Sequence, residues 1–188
     1  MTTPATPAKP EPHLEPWLRG SHSELPAALR AVLHAFELAQ EDVHKWTADL
    51  SEAELHASPF GLTPIAFHLR HIPGTLDRLL SYAEGFQINH EQLAALKSES
   101  QRGGSRKDLF AQFDWGLKSA AQRVRALDGV SLDQPRAVGR KQLPTTIGGL
   151  LVHLADHTQR HTGQIVTTSK LLKASHADQA QGGVQGLA

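Results

Sequence analysis

Apolar side chains recur at three- and four-residue steps along four segments of the chain, the spacing that places them on one face of an α-helix. The predicted helices run from about Glu24 to Asp49, Thr63 to Glu84, Ser105 to Asp128 and Thr145 to Lys173. Polar positions occupy the opposite faces, as expected for helices that bury one side. Four long amphipathic helices without convincing strands predict an all-α fold, a four-helix bundle.

Helix-end signals support these boundaries. In the second helix, Thr63 is the predicted N-cap and Pro64 the first helical residue, where its missing N–H is not needed. Thr145 is the predicted cap of the fourth helix, and Gly85 ends the second. Pro73 lies inside the second helix, where its missing donor predicts a kink.

The connecting segments and termini carry weaker patterns. Residues 50–61 have room for one short helical turn, whereas residues 131–144 are too rich in proline and glycine for a helix and are expected to lie extended across one end of the bundle. We expect flexible tails at residues 1–20 and 175–188 around one domain, residues 21–174.

Composition narrows the class of protein. The 19 basic and 19 acidic side chains are balanced, which does not favour nucleic-acid binding. The chain has no cysteine, so disulfides, thiolate ligands and a cysteine nucleophile are excluded. No apolar run approaches the roughly 20 residues that span a bilayer, and the N-terminus lacks the apolar stretch of a signal peptide. These features predict a soluble cytoplasmic protein without a membrane partner.

Five of the 12 histidines fall in two clusters: His68 and His71 in the second predicted helix, and His153, His157 and His161 in the fourth. Residues four apart on a helix are stacked neighbours, so two imidazoles in that relation can point at one ion. A third imidazole from another helix completes a three-nitrogen face with open positions for water or substrate. The clusters therefore favour a catalytic type of transition-metal site in the bundle interior.

The spacing leaves alternatives open. Rotation reaches about 80° across eight helical residues, so His153, His157 and His161 do not all face one ion equally well. We prefer His157 and His161, which leaves His153 as a ligand, a supporting residue or a structural one. His68 is expected to hydrogen-bond a ligand, act as an acid or base, or be exposed. The clusters are also consistent with a solvated polar face, a helical interaction scaffold, or a haem bundle with two axial histidines.

The segments HLRHI, residues 68–72, and HLADHTQRHTGQI, residues 153–165, resemble those of the DinB-like (DinB/YfiT) metalloenzyme superfamily. The resemblance covers about residues 24–173 and implies a four-helix bundle with a three-histidine metal site. The family's ligand positions match His71, His157 and His161 in this sequence.

Two residues near these positions depart from the family pattern. Arg160 stands where a histidine is common, and Thr162 stands where an arginine is common. Neither is a ligand position, so the departures concern substrate contacts rather than metal binding.

The resemblance also implies a function, a divalent-metal-dependent thiol S-transferase or hydrolase. Zinc or nickel is the expected ion, and the expected partner is a small-molecule substrate such as a low-molecular-weight thiol. His68 and His153 are the candidate catalytic acid/base residues, and Asp77 and Gln164 the candidate orienters of the ligands. The alternative is a non-catalytic metal-binding or interaction bundle. A homodimer is compatible with such a bundle, although no heptad or apolar patch specifies one.

Overall fold

Six α-helices and one short hairpin make up the part of the chain that the structure, a computed structural model, describes: residues 14–182, with residues 177–182 described by their backbone alone. The helices are α1 (Ala27–Thr47), α2 (Glu52–Leu55), α3 (Ile65–Ala83), α4 (His90–Ser98), α5 (Arg106–Arg125) and α6 (Ile147–Gly182). The antiparallel strands are β1 (Pro135–Val138) and β2 (Leu143–Thr146). The all-α prediction is confirmed. Within residues 14–182, no helix combines the length and apolarity needed to cross a membrane.

The four long helices bury their predicted apolar stripes against one another. Helix α6 packs between α1 and α3, and α5 contacts α3 and α1 on the other side. The largest fully buried side chains come from all four helices and include Leu29, Leu69, Ile72, Phe113, Leu151 and Leu154. This order places the two histidine-bearing helices, α3 and α6, side by side.

Helix α3 differs from its prediction at its N-terminus. Pro64 rather than Thr63 takes the N-cap position, and no side chain caps the first turn, so the predicted threonine cap is wrong. The helix continues through Pro73 to Ala83. Pro73 packs closely on α5, where a Cβ added to Gly116 would lie 2.2 Å from the proline Cβ. The proline therefore contributes to the α3–α5 contact.

The segment predicted to be extended forms the β1–β2 hairpin, with Pro135 opposite Thr146. Neither strand alternates clearly between apolar and polar residues, so the sequence pattern does not predict them. Thr145 belongs to β2, and the capping oxygen is Oγ1 of Thr146, which accepts from the Gly149 N–H at 3.0 Å. The prediction that Thr145 caps the fourth helix is therefore wrong by one residue.

The short helices α2 and α4 and the end of α6 add to the four predicted helices. The short helix α2 is the turn expected within residues 50–61. Helix α4 was not predicted, and it begins with a capping box between Asn89 and Gln92. Helix α6 runs on to Gly182 beyond its expected end at Lys173. Of the expected tails, residues 1–13 and 183–188 lie outside the described residues.

Candidate metal centre

Helices α3 and α6 bring the three predicted ligands together. Nε2 of His157 lies 3.3 Å from Nε2 of His71 and 3.2 Å from Nε2 of His161. Nitrogen ligands of a tetrahedral zinc ion, at about 2.0–2.1 Å from the metal, are themselves about 3.3 Å apart. All three side chains are partly exposed, so solvent reaches the cluster. The donor set and its spacing therefore fit one transition-metal ion.

Hydrogen bonds to Nδ1 of His71 and His161 determine which ring nitrogen is free to bind a metal at the centre of the cluster. Nδ1 of His71 lies 2.7 Å from Oε2 of Glu99, and Nδ1 of His161 lies 2.6 Å from Oε1 of Gln164. Carboxylate and amide oxygens accept hydrogen bonds, so each Nδ1 carries the proton. The Nε2 lone pairs of His71 and His161 are therefore free to bind a metal.

Burial favours the neutral form of two of the three rings. Burial first, and then the neighbouring His161 and His71 rings, together lower the pKa of His157 to about 4. The pKa of His161 is also lowered, first by burial and then by His71, although its bond to Gln164 acts in the opposite direction. Metal binding requires unprotonated imidazole, so both rings are in the binding form at neutral pH.

Two neighbours fix the orientation of the His71 ring. Phe67, one turn earlier on α3, stacks on it with ring centroids 4.9 Å apart and planes inclined by 17°. Glu99, directly after α4, holds its Nδ1. Glu99 is not predictable from the sequence pattern, because it follows a helix that has no apolar stripe. Its contact with His71 spans 28 residues, a separation at which no local spacing rule applies.

His68 lies behind the cluster rather than on the surface. It is only 2% exposed, and its Nδ1 is 3.1 Å from Nδ1 of His161. The His161 Nδ1–H that donates to Gln164 also faces Nδ1 of His68, where a second proton would clash with it, so the neutral His68 ring carries its proton on Nε2. Burial, followed by the charges of His161 and His71, lowers the pKa of His68 to about 4. Of the alternatives left open for His68, the exposed one is ruled out.

His153 lies at the edge of the cluster. Its ring centroid is 5.6 Å from that of His157, its side chain is about half exposed, and its Nδ1 is 3.9 Å from Oδ2 of Asp156. It is not among the three ring nitrogens that converge. This separation agrees with the rotation of about 80° expected across eight helical residues.

The two predicted orienters have different positions. Gln164 contacts His161, as expected. Asp77 instead accepts from Gln92 and Arg123, so the prediction that it orients a ligand is wrong. Asp77 lies further along α3, beyond the turn that carries His71.

A cleft of about 400 Å³ adjoins the cluster on the side of His68 and Gln164. Its other lining residues are Leu62, Thr63, Arg160, Gly163, Thr167 and Thr168. Arg160 is exposed and donates to Oδ2 of Asp156 at 2.7 Å. Thr162 is buried and donates to the Thr158 carbonyl, so this departure from the family pattern faces the core. The cleft is thus lined by His68 and Gln164, the two residues that contact Nδ1 of His161, and not by the three converging rings themselves.

A second group of candidate ligands, His22, His34 and Glu37, has a different explanation. Arg125 donates to Nδ1 of His22 at 2.6 Å, which leaves the ring proton on Nε2. That Nε2 donates to Oε1 of Glu37 at 2.6 Å. Both nitrogens of His22 are therefore in use, and the adjacent guanidinium repels a cation. The hydrogen-bond network accounts for this group without a metal.

Comparison with known proteins gives one family. The family model described as DinB superfamily matches residues 35–165, more than half of the chain, and includes every histidine of the cluster. Comparison with curated proteins gives no match.

Proposed function

We propose that this chain, which belongs to the DinB superfamily, binds one divalent transition-metal ion through His71, His157 and His161 and uses it in a thiol-transfer or hydrolytic reaction. The observation that carries the proposal is the convergence of three Nε2 atoms at the spacing of metal ligands. The neutral state of His157 and His161 and the fixed tautomers of His71 and His161 support it further.

The chemistry follows from the donor set. When bound, a divalent ion lowers the pKa of a thiol or water ligand and so supplies an anionic nucleophile at neutral pH. Three protein nitrogens leave positions for such a ligand. The chain has no cysteine, so a thiol nucleophile comes from a small molecule.

The protein's own residues then bind and orient the substrate. We assign the substrate to the cleft beside His68 and Gln164, which lies next to the metal ligand His161. His68 holds its proton on Nε2, on the ring side opposite His161, where it can donate to a substrate oxygen or leaving group. His153 is half exposed at the other side of His157 and is a second candidate for proton transfer with solvent.

Zinc and nickel are the ions we propose. Neutral imidazole suits both, and cellular availability rather than intrinsic affinity usually decides which one is bound. An untagged protein purified without a nickel column separates the native ion from a purification artefact.

The first test is elemental analysis of the untagged protein and of single-alanine variants. We expect one divalent ion per wild-type chain and loss of stoichiometric metal in His71→Ala, His157→Ala and His161→Ala, since each removes one of three ligands. His153→Ala is the matched control, because it removes a neighbouring α6 histidine whose nitrogens do not converge with the others. Full occupancy in all three ligand variants would refute the assignment.

The second test addresses the reaction. Metal-depleted protein, reconstituted separately with zinc and nickel, is assayed for transfer of several low-molecular-weight thiols to an electrophile and for hydrolysis of ester and amide substrates. Metal-dependent turnover that is lost in His157→Ala supports the enzyme. Stoichiometric metal without turnover on either substrate class would favour the non-catalytic metal-binding bundle.

A further inference from the structure

We propose that Glu99 is a positioning residue for the metal centre: from the end of α4 it fixes the tautomer and orientation of His71. This inference rests on the proposed metal site but assigns a role to a residue outside the ligand set. It also gives α4 a function, since that helix contributes no buried side chain of its own.

Glu99 is buried among the helices, which is unusual for a carboxylate. It is 4% exposed, and it is the only acidic residue among the buried side chains of the described chain. Burying a charge is costly unless it is paired and hydrogen-bonded. Both of its oxygens have partners, Oε2 with His71 Nδ1 at 2.7 Å and Oε1 with Arg78 Nη1 at 2.6 Å.

Arg78 holds the carboxylate in place. Its side chain is buried too, 8% exposed, and its Nη2 donates to Oγ1 of Thr75 at 3.0 Å. The guanidinium is therefore anchored within α3, two turns after His71. It neutralises Glu99 and leaves the other carboxylate oxygen directed at the histidine.

Gly74 provides the space for this contact. A Cβ added at this position would lie 2.5 Å from Oε1 of Glu99 and 3.0 Å from Nη1 of Arg78. Any other residue would displace the carboxylate. A glycine in the interior of a helix lowers stability relative to alanine, so its presence fits a requirement for the close approach of Glu99.

The physical consequence concerns the His71 tautomer. The Glu99 carboxylate can accept a hydrogen bond from His71 only when Nδ1 carries the ring proton. The contact therefore disfavours the other tautomer, in which Nε2 carries the proton and cannot bind a metal. Partners of this kind hold the ring of a ligand histidine in the orientation that metal binding needs. Glu99 thus prepares His71 as a ligand before metal arrives.

The test measures zinc affinity by competition with a chromophoric chelator. We expect Glu99→Ala to lower the affinity about 10- to 100-fold, the usual effect of removing such a partner. Glu99→Gln, which keeps an acceptor oxygen, should lose less. Glu84→Gln is the matched control, because it breaks a similar carboxylate–guanidinium contact, with Arg123, that does not touch a histidine. Its affinity should stay within about twofold of wild type.

Gly74→Ala tests the same contact without removing any charge. We expect it to displace the carboxylate and weaken zinc binding, and it keeps the test decisive if Glu99→Ala does not fold. Two further measurements report on the ligand geometry. In both Glu99→Ala and Gly74→Ala, the visible spectrum of the cobalt-substituted protein should differ from that of wild type. In the metal-free variants, ¹⁵N NMR should show the His71 proton moving from Nδ1 towards Nε2. A merely structural role would leave both unchanged.

The outcomes separate the two proposals. Wild-type protein that binds no stoichiometric metal would overturn the proposed function and this inference together. Wild-type protein that binds zinc, with Glu99→Ala and Gly74→Ala matching its affinity and cobalt spectrum, would overturn the role of Glu99 alone. An equal loss of affinity in Glu84→Gln would also overturn it, since the effect would then come from general loosening of the bundle.

Discussion

Burial distinguishes two of the clustered histidines, whose pKa is strongly lowered, from His153 at the edge of the cluster. His68 and His157 have their pKa lowered to about 4, mainly because burial disfavours the charged imidazolium. His153, one turn before His157, has a half-exposed side chain. Residue type and spacing alone cannot make this distinction, because it depends on which neighbouring helix covers each ring. The sequence therefore predicted the converging triad but left His68 and His153 ambiguous.

We predict that the metal-free protein loses stability as the pH falls from about 6.5 to about 4. In this window an unfolded histidine binds a proton whereas the folded His68 and His157 do not, so the free energy of unfolding decreases with decreasing pH. For the fully buried His68 the loss is roughly 3 kcal/mol at most. Urea denaturation across this pH range measures it.

His68→Gln provides the comparison for that titration. It should flatten the pH dependence because one titrating imidazole is gone. His90→Gln, which changes an exposed histidine at the start of α4, should keep the wild-type slope. A wild-type slope in His68→Gln would show that the ring does not resist protonation in the folded protein.

Among the secondary-structure elements, those with a strong apolar stripe were predictable and those without one were not. The four long helices bury a continuous face, so their periodicity predicted them. Helix α4 has no buried side chain, and it is anchored by polar contacts such as those of Gln92 with Asp77 and Ser81. Such contacts join residues distant in sequence, and no periodic pattern reveals them. The hairpin also lacks a periodic apolar pattern, because its two strands pair with each other and not with a larger sheet.

The contact between α3 and α5 gives a prediction for helix packing. Gly116→Ala should destabilise the protein by about 1–3 kcal/mol, because the new methyl group would overlap Pro73. Gly163→Ala is the matched control on α6, where nothing lies within 4 Å of the added Cβ. There the better helix propensity of alanine should stabilise the protein by about 0.5–1 kcal/mol. Urea denaturation of both variants measures the difference. Equal effects would mean that Pro73 does not pack on Gly116.

For the molecule as a whole, we predict that metal binding and folding are linked. The three ligands come from two helices that are adjacent only in the folded state, so an ion bound there stabilises that state. At a free zinc concentration of about 100 times Kd the gain is about 2.7 kcal/mol, which for a chain of this size raises Tm by about 5–10 °C. Thermal unfolding with and without zinc measures the shift. His157→Ala should show none, and an equal shift in that variant would place the ion elsewhere.

The global arrangement was readable from the sequence only in part. The two histidine clusters indicate that the second and fourth predicted helices are neighbours, and α3 and α6 do pack together. Ligand spacing within α6 is local, so it could be read directly. The contribution of Glu99 depends on how the chain returns to α3 after a separate helix, and only the three-dimensional structure reveals it.

The hairpin sets the rotation of α6 about its own axis relative to α3. Arg136 of β1 donates to the Ala83 carbonyl at the end of α3, while the Ile147 and Gly148 N–H groups at the start of α6 bond back to the Gln134 and Leu132 carbonyls. One residue inserted between Thr146 and Ile147 would turn the rest of α6 by about 100° about its axis if the hairpin kept its place. His157 and His161 would then point away from His71, although no coordinating side chain had changed. The convergence of the three rings thus depends on the chain length at a junction ten residues before His157 as much as on the histidines themselves.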